Sequence, residues 1–343
     1  RTWAAASRAS CSSVTWNEFV YNVTSIDQYA FRGNTSLTSI SLPESITSID
    51  PYAFYNCSSL TSIRLPEGVT SIGSNAFYQC TSLTDIHIAS ISSWFNLEFY
   101  KGTNEQFSHP LRCNSKQKNL YLGEELITDL VVPEGVTTIP NYAFYYCDDI
   151  TSVTLPESLT SIGSYAFYNC SSLTDIHLAN VSSWFNIEFK DRDAHPLRCN
   201  SLNKDLFFGD KLITDLVIPE GVARIPNYAF RSCDDIKSVT LSEGLTSIGS
   251  SAFNGCTSLT SISLPKSLTG IGSSAFSNCS ALGELHLLGT TPPALTSTDF
   301  VPTKPIFIIP EEAYDTYCAA PYWADIKDRI TTDALCTQSV ELT

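Results

Sequence analysis

The residues whose types and spacing could do chemistry are acids and histidines two apart. Asp85-Ile-His87 and Asp175-Ile-His177 match each other, and Glu284-Leu-His286 repeats the pattern. On an extended strand an i, i+2 spacing puts both side chains on one face. A carboxylate beside an imidazole could contribute to a metal site, or act as a general base with its orienter. The plainer reading is that both groups solvate an exposed strand. Spacing places no third ligand nearby, and no Gly-x-Ser-x-Gly, His-Glu-x-x-His, phosphate-loop or dinucleotide fingerprint accompanies the pairs. Thr-Ser pairs at 38–39, 61–62, 151–152 and 260–261 recur from one segment to the next, so they read as structural rather than nucleophilic.

What must position these residues is a repeat. Ala-Phe recurs at Ala30-Phe31, Ala53-Phe54 and Ala76-Phe77, then at Ala143-Phe144, Ala166-Phe167, Ala229-Phe230, Ala252-Phe253 and Ala275-Phe276. The template is Leu60-Thr-Ser-Ile63-Arg-Leu65-Pro66-Glu67-Gly-Val69-Thr-Ser-Ile72-Gly73 leading into Ala76-Phe77-x-x-Cys80, with a 23-residue period. Ile63 and Leu65 share one face of a short strand, which Pro66 ends because it cannot donate to a ladder. Val69 to Gly73 makes a second apolar segment. Ala76-Phe77-x-x-Cys80 suits one helical or 3-10 turn with Phe and Cys inward. A single unit cannot bury its apolar side; stacked units can, aligning Leu on Leu and Phe on Phe.

Two units are longer, at 83–126 and 173–212. Both carry Ser-Ser-Trp-Phe-Asn (92–96 and 182–186) and His-Pro-Leu-Arg-Cys-Asn-Ser (109–115 and 195–201). Leu120-Tyr-Leu122, Gly123-Glu-Glu125 and Leu126-Ile-Thr128 read as strand, three-residue loop, strand. Leu206 to Thr214 repeats that order, so each long unit is expected to bear a β-hairpin.

The motif Leu-x-x-Ile-x-Leu-Pro-Glu…Ile-Gly-x-x-Ala-Phe-x-x-Cys resembles the BspA-like (Treponema-type) leucine-rich repeat over residues 14–288. The resemblance implies an α/β leucine-rich-repeat solenoid with a parallel concave sheet and short strands and turns on the convex side. It also implies a cell-surface or secreted microbial protein used in adhesion. The domain reading is a truncated N-terminal repeat (1–36), the solenoid (37–288) and a C-terminal cap (289–343). In the cap Ile306 to Ile309 reads as the last strand, Glu311 to Tyr317 as a helix, and Tyr322-Trp323 with Ile326 to Ile330 as the closure.

Cys57, Cys80, Cys147, Cys170, Cys233, Cys256 and Cys279 all follow the repeat Phe by three residues. They read as a ladder of buried free thiols rather than disulfides. The sequons at Asn56, Asn169 and Asn278 are by-products of that ladder. No Cys-x-x-Cys occurs, which argues against a zinc site.

Composition excludes several classes. The 343 residues carry 20 Lys+Arg against 35 Asp+Glu, a net charge of −15, which argues against nucleic acid or an anionic membrane as partner. No apolar run reaches the roughly 18 residues of a spanning helix. Arg1 with no Met in the chain points to a processed or trimmed N-terminus. Eight basic residues gather in the long units: Lys101, Arg112, Lys116, Lys118, Lys190, Arg192, Arg198 and Lys204.

The expected function is a binding module without enzymatic activity or cofactor, monomeric, and extracellular or at the cell surface. Its partner is a host or microbial surface protein or glycan. The candidate ligand surface comprises Asp85, His87, Asp129, Asp175, His177 and Asp215 on the strands, with Arg112 and Arg198 from the insertions. The alternatives are a metal-dependent enzyme using the acid-x-His strands, or a spacer holding another domain.

Overall fold

Each repeat folds into two short strands and a run of turns, and the division follows from which backbone groups each segment can satisfy. The computed structural model describes residues 2–3, 13–14, 23–99, 110, 118–190, 194–196, 205–301 and 305–332. In the template repeat Ser62–Leu65 is a strand with Ile63 and Leu65 buried, and it stops at Pro66. Ser71–Ile72 is the second strand. Gly73 follows because its Cα lies against the neighbouring coil: an added Cβ would stand 2.3 Å from the Pro51 nitrogen.

The chain divides into two compact units, Arg1–Leu173 with Phe189–Asn200, and Thr174–Glu188 with Ser201–Thr343. In the first, the short strands Ser25–Ile26, Ser48–Ile49 and Ser71–Ile72 pair in parallel, coil to coil. The longer strands Ser62–Leu65, Asp85–Ile88 and Asn119–Leu122 form a second parallel ladder. Asp129–Val131 pairs in parallel with Ser152–Leu155. In the second unit, Asp175–Leu178 pairs with Asp205–Phe208, and Asp215–Val217 with Ser238–Thr240. Ser261–Leu264, Glu284–Leu287, Ile306–Ile309 and Ile330–Thr332 continue the parallel order. The architecture is a parallel-strand solenoid of stacked coils.

Between the strands runs the phenylalanine spine. Phe31, Phe54 and Phe77 stack at 5.1 and 5.3 Å, Phe144 on Phe167 at 5.2 Å, and Phe230, Phe253 and Phe276 at 5.3 and 5.4 Å. Phe167 is buried as the register requires.

The Ala-Phe-x-x-Cys segment departs from the expected helical or 3-10 turn. Successive amides alternate in destination. Ala53, Tyr55 and Cys57 donate three residues back within their own coil, whereas Tyr52, Phe54 and Asn56 donate to Ser74, Ala76 and Tyr78 of the next coil. Of the three residues whose N–H turns to the next coil, the first and the last lie in the left-handed region, with φ +59° at both Tyr52 and Asn56. The helix loses because a neighbouring coil offers acceptors that a lone segment lacks.

The thiols are free and buried, as the ladder reading requires. They also act as donors. Cys57 Sγ donates to the Phe31 carbonyl at 3.0 Å, and Cys80 to Phe54 at 3.1 Å. In the second unit Cys279 donates to Phe253 at 3.0 Å. A small apolar side chain with one weak donor fits a slot facing a carbonyl that a methyl group would leave without this bond. Burial pushes the Cys279 thiol up to about 12. It also raises Cys147 and Cys256.

Each hairpin is present with a tighter turn than expected. Leu122 pairs with Glu125 and Phe208 with Lys211, so the loops are the two-residue pairs Gly123-Glu124 and Gly209-Asp210. Gly123 at φ +62° and Gly209 at φ +59° take the first loop position, where a two-residue turn favours glycine. The strands after the loops end at Leu126 and Leu212.

At the C-terminal end Ile306–Ile309 is not the last strand; Ile330–Thr332 pairs beyond it. The helix forms at Tyr314–Ala319 after a 3-10 turn at Glu311–Ala313. Trp323 is buried against Phe300, Phe307 and Tyr317, with its indole N–H on the Pro293 carbonyl at 2.8 Å.

Candidate functional site

In the first unit Asp85 and His87 lie on the outward side of Asp85–Ile88, where alternation puts Ile86 and Ile88 inside. The long unit then lays Asn119–Leu122 alongside, opposing Asn119 to Asp85 and Tyr121 to His87. The Asn119 amide donates to Asp85 Oδ1 at 2.8 Å. The His87 ring stacks on Tyr121, centroids 4.5 Å apart and planes 11° from parallel. Its Nδ1 lies 2.7 Å from the Gly123 carbonyl. A carbonyl only accepts, so the geometry assigns the proton to Nδ1. Glu124, at the hairpin tip, takes the Arg64 guanidinium.

The second unit repeats the device. Asp205 opposes Asp175 and Phe207 opposes His177. His177 stacks on Phe207 at 4.5 Å and 12°, with Nδ1 3.0 Å from the Gly209 carbonyl. Asp175 accepts from the Thr174 hydroxyl at 2.7 Å. Where the first unit has Asn119 the second has Asp205, whose carboxyl is raised by burial, then by a hydrogen bond shared with Asp235.

Both histidines are therefore engaged by the hairpin rather than by the acid; Asp85 is taken by Asn119 of the hairpin strand, whereas Asp175 is taken by Thr174 beside it. Only at the third strand, Glu284-Leu-His286, does a pair form, His286 Nε2 to Glu284 Oε2 at 3.2 Å. Among the described residues no group of three or more His, Cys, Asp or Glu side chains is placed to hold a metal.

Asp129 and Asp215 stand exposed on the strands that follow the hairpins. Asp129 accepts from Ser152 at 2.7 Å and Thr128 at 3.2 Å. Asp215 accepts from Ser238 at 2.6 Å and Thr214 at 3.1 Å, and these hydroxyls hold its carboxyl below the usual range. Arg112 and Arg198 lie outside the described residues.

The insertion tryptophans turn inward. Helix α1 (Ile91–Phe95) is closed by a capping box between Ser90 and Ser93. It buries Trp94, whose indole donates to the Ala143 carbonyl at 2.9 Å. Helix α2 (Val181–Phe185), capped by Asn180, buries Trp184 with its indole on Ala229 at 2.9 Å. Lys118, one of the eight basic residues gathered in the long units, is fully buried with Nζ 3.3 Å from the Leu83 carbonyl. The signal for it is Lys204, which precedes the equivalent strand of the second long unit.

The residues that pattern reading passes over are apolar and exposed. Val131 is 62% exposed beside Asp129, on the unit that also exposes Leu122 and Leu126. Val217 is 60% exposed beside Asp215, on the unit that also exposes Phe208. The signal is present in the sequence: Val131 and Val217 occupy the outward strand position that other repeats give to Arg64, Thr154 or Ser263.

Stacked coils with a Leu/Ile ladder, a phenylalanine spine and paired parallel strands define a leucine-rich-repeat solenoid. The chain belongs to the BspA-type leucine-rich-repeat family, whose model matches in six copies over residues 7–126, 116–193 and 200–296. No curated protein matches the chain. Among solved structures, a leucine-rich repeat protein from Bacteroides ovatus is 21% identical, covering 93% of this chain and 90% of its own, with a TM-score of 0.39. A leucine-rich cell surface protein from Faecalibacterium prausnitzii is 23% identical over 93% of this chain and 86% of its own, TM-score 0.35. The pneumococcal vaccine antigen PcpA is 16% identical over 94% and 86%, TM-score 0.36.

Proposed function

We propose that this chain is a protein-interaction module of a microbial cell surface or secretome, adhering to a host or neighbouring-cell surface protein or glycan. Its ligand meets the longer-strand face beside each hairpin. The observation that carries this reading is the pairing of an exposed valine with an exposed aspartate, Val131 with Asp129 and Val217 with Asp215, opposite Ser152 and Thr154 in one unit and Ser238 and Thr240 in the other. Exposed apolar side chains rimmed by polar groups are what a docking surface requires. Asp85 and Asp175 contribute polar contacts, while His87 and His177 hold the hairpins in place. Affinity comes from several modest contacts and rises when many copies are displayed together.

The test is binding of the purified chain to an immobilised panel of extracellular-matrix proteins and to intact bacterial cells. Val131→Lys with Val217→Lys is expected to abolish the captured signal, and Asp129→Ala with Asp215→Ala to weaken it. Wild-type binding by both variants would remove the strand face from consideration. No binding by the parent chain to any surface would favour the spacer reading.

A further inference from the structure

The first unit holds a groove that neither the repeat nor the hairpin explains. It encloses about 500 Å³ between α1 and the loop that follows Asp129–Val131. That is the size range of small-ligand sites. One wall is Ser92, Phe95 and Asn96; the other is Glu134, Thr137 and Thr138.

Both walls are fixed before any ligand arrives. The capping box and the Trp94 indole hold α1. The opposite loop is held from the next coil: the Gly135 amide donates to Ser158 Oγ at 3.0 Å, and that hydroxyl donates to the Val136 carbonyl at 2.9 Å. The half-buried Phe95 ring packs edge-on against Phe144, centroids 5.7 Å apart at 77°. Neither the Asn96 amide nor the Glu134 carboxylate is engaged by a side-chain hydrogen bond or ion pair among the described residues.

The lining selects a ligand class. Among the described residues it contains no Lys or Arg and one carboxylate, which disfavours phosphates and other anions. Hydroxyls, an amide and a carboxylate around one aromatic ring are too polar for a lipid chain. They match a neutral polyhydroxylated ring, whose vicinal hydroxyls bond to planar Asn and Glu groups while its C–H face lies on an aromatic ring. We propose that this groove binds one or two neutral sugar residues at the end of a glycan.

The second long unit supplies an internal comparison. Ser182, Phe185, Asn186 and Glu220 recur at the equivalent positions, but Ala223 and Arg224 stand where the first unit has Thr137 and Thr138. Two hydroxyls are lost and a guanidinium is gained, so the second copy is not expected to bind the same neutral sugar.

The experiment is saturation-transfer NMR on the full chain. The probes are the methyl glycosides of glucose, galactose and N-acetylglucosamine, with a methyl sialoside as the acidic control. At least one neutral glycoside is expected to receive saturation while the sialoside does not. Glu134→Ala and Thr138→Val are each expected to weaken that binding about tenfold, the worth of one well-placed hydrogen bond. Phe185→Ala is expected to leave it unchanged. Both groove substitutions are at exposed positions, and an unchanged circular dichroism spectrum confirms that the variants fold. No saturation of any neutral glycoside, or binding indifferent to both groove substitutions, overturns the proposal. The strand-face variants at Val131 and Val217 do not touch the groove, so failure here is separable from failure of the adhesion reading.

Discussion

The indole N–H of Trp94 donates to the Ala143 carbonyl at 2.9 Å, an acceptor that in the ordinary coils receives a phenylalanine amide, as Ala76 does from Phe54. The adjacent Phe95 packs on Phe144, where an ordinary coil would place its own spine phenylalanine. In the second unit Trp184 and Phe185 do the same for Ala229 and Phe230. The Ser-Ser-Trp-Phe helix is thus a stand-in for the Ala-Phe turn, and it lets a long unit carry a hairpin without breaking the spine.

Trp94→Phe removes the donor while keeping a smaller aromatic ring in place. It is expected to destabilise the chain by about 1–3 kcal/mol, the cost of an unpaired buried carbonyl. Trp94→Ala should cost more, about 3–5 kcal/mol, because a cavity is added. Urea denaturation measures both. Equal stabilities for Trp94→Phe and the parent would mean that the indole bond contributes nothing.

The hairpin clasp makes a local prediction. His87→Ala removes both the bond to Gly123 and the stacking on Tyr121, worth about 1–2 kcal/mol together. Amide exchange in Tyr121 to Leu126 should accelerate, while exchange in the Ser48–Ile49 and Ser71–Ile72 strands stays at the parent rate. Uniform acceleration along the chain would show that the histidine supports the whole fold instead.

The left-handed positions explain the sequons. Asn169 sits at φ +57°, a conformation that Gly and Asn tolerate and β-branched residues do not. Asn169→Gly is expected to be close to neutral, and Asn169→Val to cost about 1–2 kcal/mol. Matched melting curves of the two variants decide the point.

The buried thiols predict a pH dependence with a definite sign. An unfolded cysteine titrates near about 8.5. Cys279 holds its proton to about 12 in the folded chain. Between those values the unfolded state binds fewer protons, so stability is full below about pH 8 and falls as pH rises. Denaturation midpoints should decline steadily over that window, and less steeply in Cys279→Ala. At neutral pH, peptides bearing Cys57, Cys80, Cys147, Cys170, Cys233, Cys256 or Cys279 should resist alkylation until the chain is denatured, whereas half-exposed Cys318 reacts before these seven.

The side-chain pattern made the strands, the spine and the thiol ladder legible, because each depends on which residues face inward. The turns were not legible in that way. Their conformation is decided by acceptors 22 residues away in sequence, such as the Ala76 carbonyl for the Phe54 amide. The trace left in the sequence is indirect: Tyr or Asn before Ala-Phe, as at Tyr52 and Asn75, both left-handed in the structure. The candidate site divides likewise. Alternation placed Asp85 and His87 on the outer face, but only the paired strand reveals that the hairpin claims them. The buried Lys118 escapes a reading in which the charges of the long units solvate them; its one mark in the sequence is recurrence, as Lys204.

The alternation of amides has a consequence for how such a chain can change over generations. The ordinary coils join the same donor to the same acceptor, Phe31 to Ala53, Phe54 to Ala76, Phe144 to Ala166, Phe230 to Ala252 and Phe253 to Ala275, and the Phe276 amide donates to the Phe300 carbonyl of the terminal segment at 2.6 Å. The ordinary coils are in this respect interchangeable parts. Excising residues 236–258, one full period, would bring the Phe230 amide opposite Ala275 and should leave a chain that still unfolds cooperatively. Gain or loss of a whole 23-residue period then yields folded length variants, so reach can vary without any compensating substitution.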